Sequence, residues 1–307
     1  MKTIQKIFSS LGTLNTITVY VNENESEKVK NILDEVEQYV NELDDKFSVF
    51  KDTSEISNIN KNAGINTVTV SKDTYEILKL SKEYGDLTRG TFDITLKPYI
   101  DIIKNKNKNK DKIKNFNIYS ININYNDIIL DEKKQSVMLK NKGQAIDLGG
   151  IAKGYVIDKI IEIFDKNKIE NAIINLGGTI FNIGEKRNIG IRNPFNPINL
   201  SKTDESIIKI ESKNEIFVTS GLYEQGEHII DPKTCKKVKT DIISASIIGN
   251  NGAEQDAIAT ACFVLGIEKS VELLKIRNLQ GIFILKNGQI FATNGMQKRI
   301  KLLKEGK

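Results

Sequence analysis

The sequence predicts an α+β fold of mixed, largely antiparallel sheets and packed helices in a chain of 307 residues. Three observations carry this. Residues 13–21, TLNTITVYV, alternate polar and apolar as a half-buried strand does. Across 25–50, Val29, Ile32, Leu33, Val36, Val40 and Leu43 recur at three- and four-residue steps, the stripe of an amphipathic helix. Further along, strand-like and helix-like stretches interleave without a strict βαβ rhythm, which favours antiparallel pairing.

Taken in order, residues 51–64, KDTSEISNINKNAG, read as a loop with turn chemistry. A second helix is expected over 74–87, followed by the compact segment TRGTFDITLKPYI at 88–100. The lysine- and asparagine-rich run at 104–115 has low complexity and reads as a mobile insertion. Short strands are expected at 127–131 and 136–140. A denser half then begins with a strand at 144–148, a helix at 151–166 and a strand at 171–176. INLGGTIFNIG (174–184) repeats the glycine pair of AIDLGGIAKGYVID (145–158), a hint of local duplication. ISASIIG (243–249) reads as a strand, 253–266 and 267–277 as helices, and Asn287-Gly288 as the turn of a terminal hairpin. No linker divides the chain, so a single domain is expected over 1–307.

Bulk composition removes several function classes. Lys+Arg number 45 against 40 Asp+Glu, a net charge of +5 that leaves a mixed surface. No basic motif carries interleaved aromatics, which argues against nucleic acid as a partner. The two cysteines, Cys235 and Cys262, lack disulfide or metal spacing, and Cys262 sits in an apolar run where a buried thiol is expected. No stretch approaches the roughly 18 apolar residues of a membrane span. The start has no apolar run of about 7–15 residues and no lipid-anchor cysteine, so a cytoplasmic location is expected unless an export segment lies upstream.

Four stretches have chemistry in them. In AIDLGGIAKGYVID, Asp147 ends an apolar run, Gly149 and Gly150 permit close backbone approach, and the following helix points its N–H groups at the same spot. Lys153 adds a charge. An anion or nucleotide cradle and a tight glycine turn are equally consistent with this pattern. In EQDAIATACF, Asp256 and Thr260 lie four residues apart and share one helix face, an oxygen pair suited to Mg²⁺; a first-turn acid beside a packing threonine is the plainer alternative. His228, in HIIDP, is the chain's one histidine. It is a candidate base, and its solitude excludes multi-histidine zinc sites. FSVFKDTSEISNIN (47–60) and RGTFDIT (89–95) combine aromatics with polar residues, fit either to line a pocket for a flat ring or to cap helices.

In order along the chain, SLGT (10–13), FSVFKDTSEISNIN, GTFDIT (90–95), IDLGGIAKGYVID (146–158), INLGGTI (174–180), VTSGLYE (218–224), HIIDPKT (228–234) and DAIATACFVLG (256–266) resemble the FAD:protein FMN transferase, or ApbE, family. The resemblance implies binding of FAD with Mg²⁺, cleavage of its pyrophosphate, and transfer of FMN to a threonine hydroxyl of an acceptor protein, with AMP leaving. It implies that Asp256 and Thr260 hold the metal with backbone oxygens of Ala259 and Gly150. It further implies that Asp147, Lys153, Leu11, Phe50 and Ile230 belong to the flavin site, and that His228 deprotonates the acceptor threonine.

Two departures from the family stand out. The tryptophan-containing loop that commonly follows FDIT is replaced by LKPYIDIIKNKN, and the chain has no tryptophan, so any ring contact near 103–105 differs here. The opening stretch also shows neither the family's common export signal nor a lipid anchor, so the usual extracytoplasmic setting and its acceptors are not expected unless an export segment lies upstream. Two rival functions keep part of the site: an FAD pyrophosphatase, with water in place of threonine, and a non-catalytic flavin carrier, which would need no base.

Overall fold

A computed structural model describes residues 2–108, 122–196, 206–222 and 229–303. Its centre is an eight-stranded sheet in the order β1-β2-β6-β7-β10-β13-β14-β15. The strands are β1 (Lys2–Ser10), β2 (Thr13–Val21), β6 (Ala172–Leu176), β7 (Thr179–Ile183), β10 (Glu215–Gly221), β13 (Ile242–Gly249), β14 (Gln280–Leu285) and β15 (Ile290–Ala292). Every neighbouring pair is antiparallel. The α+β class with largely antiparallel sheet is therefore as the sequence predicts.

The middle of this sheet is buried on both faces. Ile216, Val218, Ala245, Ile247 and Phe283 join the helix-side core. Their alternates Phe217, Ile248, Ile282 and Ile284 face a second core, shared with Ile189, Ile191, Ile208 and Ile210. Those last four residues come from a three-stranded sheet of β8 (Arg187–Arg192), β9 (Ser206–Ser212) and β16 (Ile300–Leu302). Burial on both sides explains why EIFV and SIIG run apolar without alternating. A small sheet of β3 (Val68–Thr69), β5 (Ser136–Leu139) and β4 (Ile128–Asp131) lies apart from these, and a short ladder joins β11 (Ile230–Asp231) to β12 (Lys236–Lys237).

Helices cover the first face. All six apolar residues that predict α1 (Ser26–Phe47) are buried, together with Phe47. Next come α2 (Glu55–Lys61), α3 (Lys72–Leu87), α4 (Lys97–Lys108), α5 (Ala152–Asn167) and α6 (Gly252–Ile276). Helix α4 thus runs into the lysine–asparagine stretch, whose residues 109–115 lie outside the described residues. The break in α6 falls at Gly266 (φ 73°, ψ 173°), at the joint between the two expected helices.

Several local expectations are corrected. The expected loop at 51–64 contains α2. Ser54 caps this helix by accepting from Ser57 N–H, and Ile56 and Ile59 anchor it in the core. The expected strand at 144–148 pairs with no strand, although its ends are fixed by other means described below. The two LGG stretches are not copies of one device. Gly177 and Gly178 (φ 56° and 92°) form the two-residue turn between β6 and β7, whereas Gly149 and Gly150 join an extended segment to α5.

Helices α5 and α6 touch backbone to backbone. A Cβ on Gly154 would stand 2.0 Å from the Gly252 carbonyl oxygen, and one on Gly252 would stand 2.4 Å from the Gly154 oxygen. No side chain fits between them. Gly154→Ala is therefore expected to destabilise the chain by roughly 1–3 kcal/mol in urea unfolding, despite alanine's better helix propensity. Unchanged stability would show that the two helices separate freely.

Candidate active site

The segment leading into α5 is fixed by side chains instead of by a ladder. Asn60, on α2, donates from Nδ2 to the Ile146 carbonyl at 3.0 Å and accepts from Ile146 N–H at 2.8 Å. Its amide thus does the work of a neighbouring strand for a fully buried residue. Asp147 N–H donates to the Ile94 carbonyl at 2.9 Å. One Asp147 carboxylate oxygen accepts from Gly149 N–H at 2.9 Å, which shapes the glycine turn. Asp147 therefore serves the turn locally while keeping its second oxygen clear of any hydrogen bond among the described residues.

Helix α6 is anchored more heavily. Asn251 caps it by accepting from Glu254 N–H at 2.9 Å. Gln255, fully buried, donates to the Ile216 and Ile247 carbonyls at 2.8 and 2.9 Å, tying the helix to β10 and β13. Asp158, on α5, accepts from Gly252 N–H at 2.7 Å and Ala253 N–H at 2.9 Å, one with each carboxylate oxygen. Asp256 returns the arrangement: its Oδ2 accepts from Gly154 N–H, in the first turn of α5, at 3.0 Å. Two helix N-termini, each carrying a partial positive charge, thus exchange aspartates.

This exchange gathers the oxygen donors. Asp256 is 2% exposed, and its Oδ1 has no hydrogen bond among the described residues. One turn on, Thr260 Oγ1 is likewise without one, and it lies 3.2 Å from where a Cβ on Gly150 would stand. Phe92 presses on Gly150 from the other side, at 3.3 Å from the same point. Thr260 therefore stands against Gly150, and Asp256, one turn back on the same helix face, is bonded to Gly154 in the helix that Gly150 leads into, with buried Ala259 also on α6. An orphaned carboxylate oxygen, a hydroxyl and backbone carbonyls are hard oxygen donors, and they fit Mg²⁺. Lys153, in the first turn of α5, is half-buried and makes no ion pair among the described residues.

The other residues expected at the site stand on separate elements. Leu11 is the first residue of the β1–β2 turn, at φ 55° beside Gly12 at 70°. A bulky residue in that left-handed region is strained. Phe50 follows α1 and is 91% exposed, a large aromatic offered to solvent. Ile230 is buried on β11, opposite Lys237. The β11–β12 hairpin leans on residues 90–99: Lys233 Cε comes to 3.8 Å from a Cβ placed on Gly90, and the Tyr99 hydroxyl donates to the Cys235 carbonyl. Phe92 connects the same segment to Gly150. His228 lies outside the described residues. Near 103–105, the segment is part of α4.

The GTFDIT stretch divides its roles. Phe92 packs at the glycine turn, while Asp93 is buried and accepts from Thr95 N–H, Thr95 Oγ1 and Tyr125 N–H. Burial raises the Asp93 carboxyl above its usual range, against those bonds. Cys262 is fully buried, which pushes its thiol up to about 12 and keeps it unreactive.

Asn60, Asp158 and Gln255 were not singled out by sequence reasoning. For Asp158 a signal exists. Gly154 and Asp158 on α5, and Gly252 and Asp256 on α6, share a Gly-x-x-x-Asp spacing that sets the two residues on one helix face.

Comparison with known proteins adds the following. The model of the ApbE family matches residues 11–283. A protein of Klebsiella pneumoniae named FAD:protein FMN transferase is 27% identical over 88% of this chain and 87% of its own length. One of the same name from Treponema pallidum is 27% identical over 95% and 87%. Among solved structures, the ApbE protein of Thermotoga maritima superposes with a TM-score of 0.81 at 25% identity, covering 97% of this chain and 99% of that one. The flavin transferase ApbE of Vibrio cholerae gives 0.81 at 19% identity over 97% and 99%, a likeness of fold.

Two expectations follow from the geometry. Asn60→Ala leaves the buried Ile146 amide unpaired and should cost roughly 1–3 kcal/mol in urea unfolding; a variant as stable as the parent would mean that something else holds 144–148. Burial pushes the Asp158 carboxyl up to about 6. Its folded pKa thus exceeds the unfolded value of about 3.9, so its contribution to stability is complete below about pH 4 and declines as pH rises through about 6. Between pH 4 and 7 the parent should lose on the order of 2–3 kcal/mol relative to Asp158→Asn. Parallel stability–pH curves for the two proteins would contradict this.

Proposed function

Since the chain belongs to the ApbE family, we propose that it is a Mg²⁺-dependent flavin transferase, which moves FMN from FAD to a threonine side chain of an acceptor protein and releases AMP. The observation that supports this reading best is the pair of contacts at the joined N-termini of α5 and α6, Thr260 against Gly150 and Asp256 against Gly154. The dipoles of the two helix N-termini and the adjacent Lys153 ammonium favour phosphate oxygens and suit the pyrophosphate of FAD, while the Gly154, Gly252, Ala253 and Glu254 N–H groups are already taken by Asp256, Asp158 and Asn251. The exposed Phe50 ring and the Leu11 turn would offer apolar contact to flat rings.

In this reading Asp256, Thr260 and the backbone oxygens of Gly150 and Ala259 hold Mg²⁺. Bound there, the ion would offset the negative charge that develops on the phosphoryl oxygens and on the departing AMP. Each of the chain's own groups has a defined task. His228 takes the proton of the acceptor threonine hydroxyl, a weak nucleophile without such help. The threonine oxygen then bonds to the phosphorus of the FMN half. The bond from that phosphorus to the bridging oxygen breaks, and AMP leaves with that oxygen. Lys153 holds the pyrophosphate still while this happens. No covalent enzyme intermediate is needed, and the inert Cys262 supplies none.

The acceptor is a protein presenting a threonine. No described helix is long and apolar enough to cross a membrane.

The test is incubation with FAD, Mg²⁺ and a co-expressed acceptor domain carrying a threonine. The expected result is flavin fluorescence on the denatured acceptor, together with released AMP. AMP and FMN without label on the acceptor would indicate hydrolysis, and intact bound FAD would indicate a carrier. His228→Ala should lower labelling about 10²–10⁴-fold while FAD still binds. Asp256→Ala, or chelation of the metal, should abolish labelling. Normal labelling by His228→Ala would end its assignment as base, and activity indifferent to Mg²⁺ would end the metal assignment.

A further inference from the structure

Asp158 and Asp256 are placed alike but used differently. Each lies four residues beyond a glycine, and each reaches across to the first turn of the other helix. Asp158 gives both oxygens to α6, one to Gly252 N–H and one to Ala253 N–H. Asp256 gives a single oxygen to α5 and keeps the other clear. The donors that converge on the site come from both sides of this junction. Gly150 leads into α5, which carries Asp158, whereas Asp256, Ala259 and Thr260 belong to α6. The distance between the two sets is therefore fixed where the helices are joined.

We propose that Asp158 is a positioning residue for the cation site: by holding the first turn of α6 against α5, it sets the spacing between Gly150 and the Asp256–Thr260 pair. It rests on the reading of that pair as cation ligands. Asp158 itself touches neither cation nor substrate, because both of its oxygens are engaged. The geometry around it leaves little slack. Gly154 and Gly252 are already in backbone contact, so the helices cannot move closer to make up for a lost bond. They can only part, and parting draws Asp256 and Thr260 away from Gly150. Asp158→Asn keeps one acceptor oxygen and should retain part of the hold. Asp158→Ala keeps none.

The experiment titrates Mn²⁺ into the full chain with FAD present and acceptor absent, reading free Mn²⁺ by electron paramagnetic resonance. FAD affinity and melting temperature are recorded in parallel. Ile191→Ala, on β8 in the second core, is the comparison for stability loss alone. The expected result is Mn²⁺ affinity lowered roughly 10–100-fold in Asp158→Ala, an intermediate loss in Asp158→Asn, and no loss in Ile191→Ala at a similar drop in melting temperature. If Asp158→Ala does not fold, the asparagine variant decides the matter, since a parent-like affinity there overturns the proposal. Equal loss in Ile191→Ala also overturns it, because instability alone would then weaken the site. A parent chain that binds no Mn²⁺ overturns the cation reading itself, and the spacing role with it.

Discussion

Two helix N-termini in contact would repel, because each carries a partial positive charge on N–H groups that the helix cannot satisfy. In this chain the Gly154–Gly252 contact forces α5 and α6 into that arrangement, and a pair of crossed aspartates makes it tenable. Asp158 satisfies two orphan amides of α6, and Asp256 satisfies one of α5. The aspartate that reaches α5 does so from the helix face that also carries Thr260. The same contact that holds the helices together therefore leaves one Asp256 carboxylate oxygen unpaired, on the helix whose Thr260 stands at the glycine turn. The chemistry proposed for the chain depends on that junction, which brings Thr260 against the glycine turn at Gly150 and Asp256 against Gly154.

The rest of the architecture serves to place the junction. The middle of the central sheet is buried on both faces, which makes it a stiff platform, and Gln255 ties α6 to it through two strand carbonyls. On the other side, α1 and α2 pack around the segment that precedes α5. Asn60 then holds that segment extended with a side-chain amide where a strand would otherwise be needed. A single amide fixes one residue, Ile146, and leaves Asp147 to Gly150 to turn toward α6. Buried Phe92 closes the back of that turn, and the exposed Phe50 stands outside the packed core.

Much of this was legible in the sequence, for identifiable reasons. The apolar stripe of α1 is long and strict, so its buried face could be read residue by residue. Asp256 and Thr260 share a helix face by simple spacing, and the structure sets Thr260 beside Gly150 and Asp256 on Gly154 N–H. Other parts were hidden. Helix α2 is too short and polar to show a period; its evidence is one cap and two isoleucines. Residues 144–148 have the composition of a strand, but their partner is a side chain 86 positions away, which no local pattern encodes. The two LGG stretches look alike in sequence because glycine marks any unusual backbone, whether a hairpin turn or a helix entry. Asp158 was overlooked although its spacing from Gly154 matches that of Asp256 from Gly252. An aspartate that caps a neighbouring helix looks, in sequence, like any exposed acid. The Asp256–Thr260 pair and a candidate base at His228 are readable from spacing and residue type, whereas backbone donors at Gly150 and Ala259 rest on family resemblance alone, and His228 lies outside the described residues.

The account stands on the claim that the α5–α6 junction is where the divalent cation binds. Anomalous diffraction from crystals grown with Mn²⁺ and FAD measures this most directly. The account predicts a single strong peak within about 2.3 Å of the Asp256 carboxylate and the Thr260 hydroxyl, with a backbone oxygen of Gly150 completing that side. A well-occupied peak elsewhere, with Asp256 still bonded only to Gly154, would contradict it.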